Sequence, residues 1–89
     1  MPSEKAARRA LKRYMRNKPL RTRARTFISR ARRSMAAGDL AAAEEAVRMA
    51  VVALDKAAQK GAIHPNNAAR RKSRIMRQLA QLKRGAETS

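Results

Sequence analysis

Cysteine and tryptophan are absent from the 89-residue sequence, which also has only one phenylalanine, one tyrosine and one histidine. Without cysteine the chain can form neither a disulfide framework nor a thiolate metal site, and His64 alone cannot supply a set of metal ligands. The sequence therefore predicts no bound metal and no cofactor. With only Tyr14 and Phe27 as aromatics, it also lacks the stacking platform of proteins that bind single-stranded nucleic acids.

Long hydrophobic runs are missing as well. The longest uncharged apolar stretch, from Met49 to Leu54, is far shorter than the roughly 20 residues that span a membrane. The N-terminus, MPSEKAARRA, lacks the apolar segment of a secretory signal peptide. We therefore expect a soluble, cytoplasmic protein with no membrane partner.

Residues suited to catalysis are scarce and scattered. Glu44 and Asp55 lie on one helical face but are separated by roughly 16 Å at 1.5 Å per residue. That separation exceeds the ~5 to 9.5 Å over which paired carboxylates cooperate in glycoside hydrolysis. The three glycines stand singly, so no glycine-rich phosphate loop is present. The sequence predicts neither an enzyme nor a small-molecule substrate.

Acidic residues are few, six against 23 lysines and arginines, which leaves a net charge of +17. Thirteen basic residues and one acid precede Gly38, and seven basic residues and one acid follow Gly61. The segment between these glycines, by contrast, has three basic residues and four acids. Two regions of almost purely positive charge predict a polyanionic partner, because phosphates between the like charges replace repulsion by attraction. Arginine outnumbers lysine sixteen to seven, which favours bidentate contacts to phosphate.

The spacing of apolar residues predicts an all-α fold, an antiparallel three-helix bundle in one domain spanning residues 1–89. Asp39 is placed to cap the second helix, and Gly61 to end it in a left-handed conformation. Glu44 and Arg48 form a favourable pair one turn apart. The predicted helices are residues 4–35, 40–60 and 65–84.

The third helix has recognisable start and stop signals. Pro65 suits a first helical turn, and Asn66 and Asn67 can cap its free backbone donors. Gly85 and a polar tail, Glu87 to Ser89, are expected to end the helix, and we expect this tail to be disordered.

The first helix is longer than its partners and contains Pro19, which predicts a kink or a local break. If Met35 lies beside the start of the second helix, residues from about Lys5 to Met15 extend past the bundle. This segment, called the overhang below, has like charges and no tertiary face to bury. We expect it to be disordered in the free protein and helical when bound to its partner.

The corner between the second and third helices brings Arg70, Arg74 and Arg77 onto one face, with no acid from Ala62 to Ala86. Counting outward from the turn also places Lys72 opposite Asp55, which predicts an ion pair, although Lys72 could extend to the partner instead. The predicted binding residues are Lys5, Arg8, Arg9, Lys12, Arg13, Arg16, Lys18, Arg21, Arg23, Arg25, Arg30, Arg33, Lys60, His64, Asn66, Asn67, Arg70, Arg71, Lys72, Arg74 and Arg77.

The same corner carries a resemblance. The string Ile63-His64, Asn66 and Ala68-Ala69-Arg70-Arg71-Lys72-Ser73-Arg74-Ile75 resembles the signature of bacterial small ribosomal subunit protein twenty. The resemblance implies a three-helix bundle, not an obligate homo-oligomer, that binds the 5′ domain of 16S ribosomal RNA in the body of the small subunit early in assembly. The chain departs from that family at Pro65, where a lysine is usual, so a phosphate contact there is in question.

The residues alone leave three other functions open. The third helix could enter a DNA major groove with Asn66 and Asn67 reading adenine, as in a basic architectural DNA-binding protein. A basic amphipathic helix could also bind a membrane surface, although its alanine-rich apolar face would insert weakly. The last alternative is a bundle that binds an acidic protein.

Overall fold

The computed structural model describes residues 4–88, with side chains described for all of these except Lys5 and residues 86–88. Three α-helices make up almost all of this range, and the predicted all-α three-helix bundle is confirmed. The helices are α1, Glu4–Ala36, α2, Leu40–Gln59, and α3, Pro65–Thr88.

The turn between α1 and α2 follows the sequence signals. Gly38 takes a left-handed conformation with φ of 74°, which a side chain would disfavour. Asp39 caps α2, since its Oδ1 accepts a hydrogen bond of 3.1 Å from the Ala42 backbone N–H. At the end of α1 the Gly38 N–H donates to the carbonyl of Met35, and at the start of α2 Asp39 accepts from a free N–H. Both bonds satisfy backbone groups that a helix end leaves without a partner in the helix.

The turn between α2 and α3 is also closed by glycine, as predicted. Gly61 has φ of 76°, and its N–H donates to the carbonyl of Ala58 at 3.1 Å. The prediction that Asn66 and Asn67 cap α3 was wrong. His64 is the cap, because its Nδ1 accepts a hydrogen bond of 3.1 Å from the Asn66 N–H, and both asparagines lie inside the helix.

Two other expectations are corrected. Of the kink or local break predicted at Pro19, the break does not occur, since α1 runs from Glu4 through Pro19 to Ala36. Pro19 is exposed and so is Met15, whose carbonyl loses its helical donor, so water can satisfy that carbonyl. Nor does α3 end at Gly85, because helical geometry continues to Thr88, while the last residue of the predicted tail, Ser89, lies outside the described residues.

The core is small and rich in alanine. Leu54 of α2 and Ile75 of α3 are its largest fully buried side chains. Small side chains at most core positions let the helices approach closely but contribute less hydrophobic free energy than leucine or phenylalanine would. The core cluster consists of Ala24, Ile28, Ala31, Val47, Ala50, Ala53, Leu54, Ala68 and Ile75.

α2 is the central helix of the bundle, packed against both α1 and α3, which contact each other little. The molecule is elongated, with principal extents of 63 × 20 × 17 Å. Every described side chain before Asn17 is exposed, and Asn17 is the first buried residue of α1. The side chains of the predicted overhang that the structure describes are therefore all exposed.

Candidate nucleic-acid interface

Most of the predicted binding residues present their side chains to solvent. Arg21 and Lys72 are half-buried, and the side chain of Lys5 lies outside the described ones. The exposed members are Arg8, Arg9, Lys12, Arg13, Arg16, Lys18, Arg23, Arg25, Arg30, Arg33, Lys60, His64, Asn66, Asn67, Arg70, Arg71, Arg74 and Arg77. A polyanion could therefore reach these cations without displacing core residues.

The overhang and the residue after it, Arg16, bring four predicted residues to one shallow groove. Arg9, Lys12, Arg13 and Arg16 line it together, and no acid is among its lining residues. Such a concentration of like charge destabilises an isolated helix and is favourable beside phosphates. The groove is thus a suitable surface for a polyanion.

Four arginines of α1 recur at intervals of seven residues. Seven residues fall about 20° short of two full turns, so such positions lie nearly in line along a helix. At 1.5 Å per residue, consecutive members are roughly 10.5 Å apart along the axis. This arginine row, which runs from the overhang into the bundle, consists of Arg9, Arg16, Arg23 and Arg30. This seven-residue period was not among the features predicted from the sequence, although the residue numbers alone contain it.

Other α1 cations lie on different sides of the helix. Arg25 follows Arg23 by two residues, which is roughly 200° around the axis. Arg33 lines a groove between α1 and α2 together with Arg30. The structure therefore distributes the predicted α1 residues around the helix instead of gathering them on one face.

Both aromatic rings of the chain lie close to two cations each. Lys18 Nζ and the Arg21 guanidinium carbon are 5.9 and 5.7 Å from the centroid of the Tyr14 ring. The ring of Phe27 has the guanidinium carbons of Arg23 and Arg30 at 5.7 and 5.6 Å. These distances lie within the ~6 Å range of cation–π attraction. The aromatics were not among the predicted site residues. The sequence does indicate these contacts, because each aromatic residue has a basic residue three or four positions away.

The corner between α2 and α3 holds a second group of cations. Arg70, Arg71, Arg74 and Arg77 follow the start of α3 and are all exposed. The nearby imidazole of His64 is exposed and uses Nδ1 to cap α3, which leaves Nε2 as the nitrogen that can face a partner. The corner can thus present arginines and one imidazole to the same partner.

Lys72 differs from the neighbouring arginines at the start of α3, because it pairs with an acid. Its Nζ lies 2.6 Å from Oδ1 of Asp55 on α2, so the predicted ion pair is confirmed. A second pair joins Lys83 of α3 to Glu44 of α2 at 2.8 Å, and Glu44 therefore pairs with α3 instead of with Arg48 as predicted. Two of the α2 acids are thus directed at lysines of α3.

The arrangement suits the binding of an extended polyanion. Exposed guanidinium groups occupy α1 and the first half of α3. Of the acids between them, Asp39 caps α2 and Glu44 and Asp55 pair with α3, whereas Glu45 lines the same groove as Arg30 and Arg33. Guanidinium groups bind phosphate through planar pairs of N–H donors. Within residues 4–88, none of the helices has the length and apolar content needed to cross a lipid bilayer.

Comparison with known proteins gives a consistent result. The family model of Ribosomal protein S20 matches residues 2–80. The chain is 51% identical over 98 aligned positions to small ribosomal subunit protein bS20 of Thermomicrobium roseum, covering 100% of this chain and 99% of the relative. It is 45% identical over 80 positions to bS20 of Alkalilimnicola ehrlichii, covering 90% and 91% of the two chains. With bS20 of Roseiflexus sp. it shares 48% identity over 79 positions, 89% of this chain and 86% of the relative.

Proposed function

Because the chain belongs to the ribosomal protein S20 family, and is thus a protein of the small ribosomal subunit, we propose that it binds 16S ribosomal RNA directly. The contact lies in the 5′ domain, in the body of the subunit, and supports subunit assembly. The family consists of structural ribosomal proteins, which are not a class of enzymes. The chain acts as one domain and does not need to form a homo-oligomer for this role.

One observation supports the proposal most directly. The exposed cations of the overhang and of the start of α3 have no acids among them, while α2 and its cap Asp39 hold four of the six acids. A surface of one charge sign is unfavourable in the free protein and becomes favourable when phosphates replace the missing counter-charges. The proposed RNA site is therefore made of α1 and α3, with α2 supporting both.

Phosphate and shape contacts fit these residues better than base stacking does. The chain has two aromatic residues, and each ring already lies near two of the protein's own cations. Folded RNA is recognised mainly through its backbone, its 2′-hydroxyls and its shape. Arginine is suited to this role because its planar N–H donors match phosphate oxygens.

The salt dependence of RNA binding tests the proposal. The dissociation constant for a transcript of the 16S 5′ domain is measured from low to high salt. The same measurement is made with duplex DNA of equal length for comparison. Each neutralised phosphate should contribute a slope of about −0.7 to −0.9 to log affinity against log salt, so several contacts give a steep line. We expect tighter binding to the RNA than to DNA.

Two arginine substitutions make the test specific. Arg70→Ala should weaken binding and make the salt slope shallower by roughly one, because one phosphate contact is lost. Arg48→Ala removes an exposed arginine of α2 outside the proposed site and should leave the slope unchanged. A nearly flat slope for the unmodified protein would contradict the proposal, and equal affinity for duplex DNA would favour a DNA-binding architectural role.

A further inference from the structure

We propose that Phe27 is a positioning residue for RNA binding, whose ring holds the guanidinium groups of Arg23 and Arg30 as two preordered phosphate contacts. The inference rests on the proposed function and adds an uncharged residue to the proposed site. It also links that site to the core of the bundle, because Phe27 is half-buried and packs against the core cluster.

The geometry around the ring supports this role. The guanidinium carbons of Arg23 and Arg30 lie 5.7 and 5.6 Å from the ring centroid. Within residues 4–88 neither guanidinium forms an ion pair with an acid. The aromatic ring is therefore a contact that both charged groups share, and Glu45, which lines the same groove as Arg30, forms no ion pair with that arginine.

A guanidinium over an aromatic ring can still bind phosphate. It contacts the ring through its flat face, whereas its five N–H donors lie in the guanidinium plane and point outward from its edge. A side chain that is ordered before binding also loses less conformational freedom when it binds. Phe27 thus lowers the cost of the phosphate contact without occupying the donors that make it.

The positions of the two arginines define the contact further. Arg23 and Arg30 are members of the arginine row, roughly 10.5 Å apart along α1 and on nearly the same side of the helix. They can therefore contact two phosphates of one RNA backbone. Tyr14 differs from Phe27, because its ring is exposed on the overhang and has no core contact to fix it.

Binding of the 5′-domain transcript by the Phe27→Leu variant tests the inference. Leucine can fill the half-buried position but removes the ring. Loss of two cation–π contacts should weaken binding about threefold to tenfold. The salt slope should stay the same, because no charge has been removed. Phe27→Tyr keeps the ring and should bind within about twofold of the unmodified protein.

A double-mutant cycle separates positioning from simple destabilisation. In an Arg23→Ala, Arg30→Ala background, Phe27→Leu should have no further effect on affinity, because the groups that it positions are gone. Leu79→Ala serves as the stability control, since Leu79 packs against the same core cluster from α3, whereas the two arginines lie on α1. It should reduce the free energy of unfolding at least as much as Phe27→Leu and weaken RNA binding less.

Two results would overturn the inference: unchanged affinity of Phe27→Leu, or an equal loss of affinity when both arginines are absent. In either case the unmodified protein would still show a steep salt slope, and RNA binding itself would stand. A flat slope for the unmodified protein would instead contradict the proposed function, and the inference with it.

Discussion

Lys72 and Asp55 show how one pair of side chains can join two helices while the neighbouring arginines face solvent. The atoms Nζ and Oδ1 are 2.6 Å apart, with 31% and 55% of the two side chains exposed. Lys83 and Glu44, eleven residues further along α3 and eleven residues back along α2, form the second pair. Two pairs at matched intervals are expected for antiparallel helices in register, and water screens both of them.

We expect the Asp55–Lys72 pair to contribute a coupling free energy of about 0.2 to 1 kcal/mol to stability, as partly exposed pairs do. The measurement is a double-mutant cycle with Asp55→Asn and Lys72→Met, using the free energy of unfolding in urea. Glu45→Gln combined with Lys72→Met is the control cycle, because Glu45 is an exposed acid of the same helix that does not contact Lys72. Equal coupling in the two cycles would refute the contribution of the pair.

At the scale of the helices, glycine has two different roles. Gly61 has φ of 76° and closes the turn after α2, whereas Gly85 lies inside α3 and is not among the glycines of positive φ. A Cβ added at either position would have no heavy atom within 4 Å. The difference between the two sites is therefore one of backbone conformation alone.

This difference predicts opposite effects of the same substitution. Gly61→Ala should lower the free energy of unfolding by roughly 1 to 2 kcal/mol, since a Cβ is unfavourable in the left-handed region. Gly85→Ala should raise it by up to ~1 kcal/mol, because alanine favours helical conformation. Thermal unfolding of the two variants measures both, with Gly38→Ala expected to behave as Gly61→Ala does. A destabilised Gly85→Ala variant would contradict a helical conformation at that position.

For the molecule as a whole, the main feature is the overhang. The protein is 63 Å long, and no described side chain before Asn17 is buried. Exposed Leu11, Tyr14 and Met15 give this segment an apolar stripe with nothing to cover it in the free chain. Because isolated helices of this length are marginal in water, we expect the helix of the overhang to depend on a partner.

We therefore expect RNA binding and ordering of the overhang to be coupled. Amide hydrogen exchange on the free protein should show little protection before Pro19 and clear protection from Ala24 to Ala31. In complex with the 5′-domain transcript, the overhang should become protected as well. The Ala24 to Ala31 segment serves as the internal control, and equal protection of both segments in the free protein would exclude the coupling.

The sequence by itself determined the three helices, the caps at Asp39 and Gly61, and the segregation of charge. These features depend on local preferences and on the 3.6-residue period, which can be counted along a chain. The pairing of Lys72 with Asp55 was also predictable, because a short turn between two antiparallel helices sets their register. The exposure of the overhang followed in the same way from the unequal helix lengths.

Only the tertiary structure decided how local signals that conflict were resolved. Pro19 and Gly85 favour interruption, yet α1 and α3 continue through them, because helix-forming residues on both sides outweigh one unfavourable position. His64 rather than Asn66 or Asn67 caps α3, since the cap depends on where the helix begins in space. The placement of Arg23 and Arg30 at the ring of Phe27 likewise depends on side-chain conformations. Packing against α2 and contact with solvent select these conformations, whereas the sequence spacing permits them without specifying them.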